Sequence, residues 1–114
     1  MKPKRIKKLL RKYIAWWVHW TGLGYWDIGV TFEDMCEENL DRCGISHVNW
    51  EYLTANLTFY IKPLRRVSPA TIELAVVHEL MHVLLNEMRE NGIDHEERCA
   101  TQLQKAFVWV KGAK

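Results

Sequence analysis

The chain has little cysteine, no apolar run of membrane-spanning length, no internal repeat and no low-complexity tract. Each shortage narrows the choice. Three cysteines, Cys36, Cys43 and Cys99, are too few and odd in number for a disulfide scaffold. They predict free thiols in a reducing compartment, the cytoplasm. Cys36, Cys43 and His47 as a second metal site would want a fourth ligand, and their spacing fits no familiar knuckle. The N-terminus begins like a secretion signal but has neither an uninterrupted apolar centre nor a small-residue cleavage site, which argues against one. Acid is missing from residues 1–12, which hold seven of the sixteen Lys and Arg residues; residues 13–114 then carry a net charge of −5.

What is present is one domain's worth of chain: 114 residues, 48% hydrophobic, enough to close a core without staples. Residues 1–20 read as an amphipathic helix with Ile6, Leu9, Leu10, Tyr13, Trp17 and Trp20 on one face, set to pack on a sheet. A nucleic-acid or membrane contact through residues 1–12 is the alternative use of its basic side. Trp26, Ile28, Val30 and Phe32 alternate with polar residues as a first strand. An acidic loop, 33–44, follows; set near a cleft, its rim would favour basic substrate side chains. Val48, Trp50 and Tyr52 mark a second strand, and Leu57, Phe59 and Ile61 a third, joined as a hairpin. Pro63 ends that ladder.

Ser68-Pro69 opens a helix and Asn91-Gly92 closes it. Between them the chain is apolar on almost every side, which predicts a central, buried helix. Inside it stands His78-Glu79-Leu80-Met81-His82. Two imidazoles four residues apart stack on one helical face and can bind one ion, with Glu79 beside it. H-E-x-x-H on a helix is the pattern of two zinc ligands plus a general base. The bland alternative is a hydrogen-bonded core pair, with Glu79 salt-bridged to an arginine.

A catalytic zinc takes a third protein ligand. A last helix, about His95 to Val110 with Asp94 as N-cap, offers His95, Glu96 and Glu97. Its predicted buried face is Cys99, Ala100, Leu103, Ala106, Phe107 and Val110, and Glu96 continues that face. Glu96 is therefore the expected ligand, ahead of Glu97 and His95.

HELMH at 78–82 followed by a glutamate on the next helix resembles the gluzincin group of zinc metallopeptidases, in its minimal, minigluzincin-like form. The resemblance implies an α+β, zincin-like fold: a small three-stranded sheet backed by an N-terminal helix, a central HExxH helix and a C-terminal glutamate helix. It implies Zn2+ held by His78, His82 and Glu96, with Glu79 as general base acting on a peptide or protein substrate. It also implies that the third strand, as an edge, binds an extended peptide. Two departures stand out. Ala100 occupies the place, four after Glu96, where many gluzincins have an Asp supporting a metal-binding His. The oxyanion partner of larger relatives has no counterpart beyond the last helix, leaving Tyr60, Tyr52 or His47 as substitutes. The competing expectations are a zinc-binding but latent or inactive module acting in protein binding or regulation, and a nucleic-acid-binding protein with a structural metal.

Overall fold

Ser68 begins the element on which the fold is built. Its backbone is extended, and its Oγ accepts a hydrogen bond from the Thr71 amide at 3.2 Å, capping a helix whose first residue is Pro69. We describe the chain from a computed structural model that covers residues 1–112. Helices and strands are numbered separately in chain order. They are α1 (Pro3–Trp20), β1 (Asp27–Glu33), β2 (Gly44–Asn49), β3 (Thr54–Tyr60), α2 (Ile61–Leu64), α3 (Pro69–Leu84), α4 (Asn86–Glu90) and α5 (Glu96–Gly112). The result is a small α+β domain of one three-stranded sheet and five helices among the described residues.

α3 is the central rod. Ile72, Val76, Val77, Leu80, Met81 and Val83 are buried along it, with α1 on one flank, α5 on the other and β2 beneath. Each such side chain contributes roughly 1.5–3 kcal/mol by leaving water. The helix stops at Leu85, and a short separate helix carries the chain to Asn91-Gly92, which therefore closes α4 rather than α3.

α1 buries Ile6, Leu10, Ile14 and Trp17 at helical spacing, in one core with α3 and the sheet, and lays Lys7 and Arg11 over the Phe32 ring of β1. Trp20, expected on the buried face, is 65% exposed. The helix ends in a Schellman closure: Gly22 takes φ +75°, its amide donates to His19 at 3.2 Å, and the Leu23 amide donates to Val18 at 3.0 Å.

The strand order is β1-β3-β2, with β3 parallel to β1 and antiparallel to β2. β3 is thus central, and the edge strand nearest α3 is β2, which corrects the expectation that the third strand is the edge. β2 begins and ends earlier than its aromatic alternation predicted. Trp50 and Tyr52 lie in the hairpin turn, whereas the inward positions of the strand are Gly44, Ser46 and Val48, set beside Phe59, Leu57 and Ala55. Small inward residues leave no apolar signal to read. No helix among the described residues is long and apolar enough to cross a membrane, and all three cysteines are free.

α5 departs most from expectation. His95, with φ +74°, and not Asp94, offers the carbonyl that takes the first helical bond, from the Cys99 amide at 2.9 Å. Of the predicted buried face only Ala100 is buried, while Phe107 and Val110 are exposed. The helix meets α3 through a stripe one residue round, on which Gln104 bonds His78 and Lys111 bonds Glu73.

Candidate metal centre

His78 and His82 rise from one face of α3, one turn apart, with their Nε2 atoms 3.1 Å from each other. The turn at 91–95 folds α5 back so that Glu97 stands over them. Glu97 Oε1 lies 2.8 Å from His78 Nε2 and its Oε2 lies 3.0 Å from His82 Nε2. His78, His82 and Glu97 form a group able to hold a metal ion. They line a cleft of about 800 Å³ between α3, α5 and β2, together with Glu79, Ser46 and His47.

Glu96, the expected third ligand, is near but on another atom. Its Oε2 meets Nδ1 of His82 at 2.5 Å, behind the ring, and Arg89 grips the same carboxylate at 3.0 and 2.9 Å. The difference follows from the rotation of α5. Polar contacts at Gln104 and Lys111, and the close approach allowed by Ala100, turn Glu97 to the cleft and Glu96 to its base. Apolar spacing pointed to a stripe of which Ala106, Phe107 and Val110 are left exposed. Burial alone would raise the Glu96 pKa, but hydrogen bonds from His82 and Arg89 and the Arg89 charge outweigh it, so the group is held below the ordinary carboxylate value. His95 is exposed and outside the group.

The donor set fits a cation. Nδ1 of His78 faces Gln104 Oε1 at 2.6 Å, and Nδ1 of His82 faces a carboxylate. Both partners can accept from an Nδ1–H, and in that tautomer each Nε2 offers a lone pair. Two lone pairs and a carboxylate then converge at 2.8–3.1 Å, an arrangement relieved either by a cation among them or by a proton on the rings. Zinc bonds of 2.0–2.1 Å set tetrahedral ligand atoms roughly 3.3 Å apart, a few tenths of an ångström wider than seen. An acceptor behind each ring is also the support that metal-binding histidines require.

Glu79 sits beside the group, 6% exposed. Ser46 Oγ donates to its Oε1 at 2.7 Å. Burial raises its pKa above the usual value, against the opposing pull of the Ser46 hydrogen bond and of His78 and His82. Gly44 makes room for it: a Cβ there would stand 3.2 Å from Glu79 Cγ and 3.1 Å from the Phe59 ring. Ser46, Gly44, Gln104 and Arg89 were not singled out from sequence. Gln104 could have been, since it lies two turns after Glu97 on the same helical face.

Of the three candidates for an oxyanion donor, His47 lines the cleft, Tyr52 is 74% exposed in the hairpin turn, and Tyr60 is buried outside the cleft lining. The acidic loop also behaves differently from expectation. Its residues on the cleft wall are Asn39, Arg42 and Cys43, so the charge it presents there is positive. Compared with known proteins, the chain matches no family model, no curated sequence and no solved structure.

Proposed function

We propose that the chain is a zinc-dependent metallopeptidase, gluzincin-like in plan, that hydrolyses a peptide bond in the cleft between α3, α5 and β2. The observation that carries this reading is the convergence of His78 Nε2, His82 Nε2 and the Glu97 carboxylate beside a buried glutamate. His78, His82 and Glu97 would hold the ion, with Glu96 and Gln104 fixing the two rings from behind. Bound zinc supplies Lewis acidity, acidifying water and polarising a carbonyl.

The remaining work falls to the chain's own groups. Glu79 takes a proton from the attacking water at Oε2 and delivers it to the leaving amine. Ser46 holds Oε1, which fixes the carboxylate's orientation and leaves the other oxygen for proton transfer. A raised pKa suits a group that must carry a proton between two transfers. β2 is an edge strand, and Gly44, Ile45, Ser46 and His47 line the cleft, so an extended peptide can add to it as a further strand. Of His47, Tyr52 and Tyr60, the residue on the cleft wall is His47.

The test is a broad peptide library incubated with purified protein, with and without chelator. Cleavage that chelation stops and zinc restores supports the reading. Bound metal without any cleavage overturns it and leaves a metal-holding module acting through binding.

A further inference from the structure

Arg5, Leu9, Lys12, Trp16 and Trp20 recur every three or four positions, so they share one flank of α1, with Lys2 just before its first turn. This flank is turned away from the buried line of Ile6, Leu10 and Trp17. Its cations are exposed, and among the described residues none of the Lys or Arg side chains of positions 1–12 forms a salt bridge. Trp16 and Trp20 are 37% and 65% exposed.

The aromatic end of the flank is extended by a second helix. Lys111 of α5 lies 4.3 Å from the centre of the Trp16 ring, so the C-terminal ends of α1 and α5 are neighbours. Trp109 and Val110, just before it, are 72% and 65% exposed. A row of cations thus runs into the exposed Trp16 and Trp20, and two further exposed apolar side chains, Trp109 and Val110, stand on the neighbouring end of α5.

We propose that this flank is a peripheral docking surface for an anionic lipid bilayer. Lysine and arginine are drawn to an acidic headgroup layer, and tryptophan prefers the boundary between headgroups and acyl chains. A duplex nucleic acid would satisfy the cations but offers the exposed Trp16 and Trp20 no apolar layer, whereas a bilayer surface takes both kinds of group. α1 is too short of apolar faces to insert, since its apolar side is already committed to α3. Binding is therefore superficial and reversible. The proposal does not depend on the cleft chemistry.

The experiment is flotation of the full chain with phosphatidylcholine vesicles and with vesicles that also contain phosphatidylserine. The protein is expected to float with the second and stay behind with the first. Joint replacement Lys2→Glu, Arg5→Glu and Lys12→Glu is expected to lower the partition coefficient at least on the order of a hundredfold, from about fivefold per cation. Trp20→Ala, at a side chain outside the core, weakens binding without touching charge. If the triple variant loses helix by circular dichroism, Lys12→Glu and Trp20→Ala alone carry the test. Equal flotation of the variants, flotation with neither vesicle, or binding of a DNA duplex without binding of vesicles overturns the proposal.

Discussion

Glu96 and Glu97 approach the same imidazole from opposite ends: Glu96 Oε2 lies 2.5 Å from Nδ1 of His82, and Glu97 Oε2 lies 3.0 Å from its Nε2. Adjacent residues on a helix point about 100° apart. In the proposed site, one ring between them would give the two carboxylates distinct tasks, Glu97 as ligand and Glu96 as support.

That division predicts unequal losses. Glu97→Ala should abolish stable zinc retention, and Glu96→Ala should weaken it by about 10–100-fold, the usual effect of removing an outer-shell partner. Competition with a chromogenic chelator measures both. The reverse order would make Glu96 the ligand.

Glu79→Gln should keep zinc and lose hydrolysis. Its side chain has the same shape and keeps the Ser46 contact, but it has no basic oxygen to take a proton. Metal content by native mass spectrometry, alongside peptide turnover, separates binding from chemistry. Undiminished turnover in this variant rules Glu79 out as the base.

Gly44→Ala should destabilise the fold by about 1–3 kcal/mol, since the new methyl meets Phe59 and Glu79 at contacts that force one of them to move. Urea unfolding gives the size of the effect. If Glu79 is what moves, turnover falls while zinc is retained. Unchanged stability and turnover would show slack beneath Glu79.

Arg42 stands on the cleft wall with no salt bridge among the described residues. Peptides with an acidic side chain near the scissile bond should be cleaved with higher kcat/KM, by about fivefold for a part-exposed ion pair. Arg42→Glu should reverse the preference. Equal rates for acidic and basic peptides would remove Arg42 from substrate selection.

The metal-free protein should also show the Glu96 pairing in its pH response. The folded-state pKa of Glu96 is lowered, so its contribution to stability is full above the unfolded-state value and is lost as pH falls through the folded one. The stability gap between wild type and Glu96→Gln, from urea melts, should therefore close on acidification. A gap that widens toward acid would contradict the assignment.

Much of this was legible beforehand because it is local. Ser68-Pro69 announced the start of α3, and the spacing of His78 and His82 on a helix leaves them no choice but a shared face. The alternation at 26–33 and 56–61 marked β1 and β3, although β3 ends at Tyr60 and Ile61 already opens α2. β2 was blurred because Gly44 and Ser46, the residues that matter most beneath Glu79, are small and carry no hydrophobic pattern.

Sequence by itself determined the pair of imidazoles, the neighbouring glutamate and the helix that carries them, since these depend only on the repeat of one helix. Tertiary structure alone decided which acid joins them and which strand forms the cleft wall. The rotation of α5 about its own axis depends on contacts with α3, at Gln104 and Lys111, that lie 26 and 38 residues from their partners. A shift of one residue in that rotation exchanges Glu96 for Glu97, and the apolar spacing within α5 does not encode it, because only the first half of that stripe, to Leu103, packs inward while Ala106, Phe107 and Val110 are exposed.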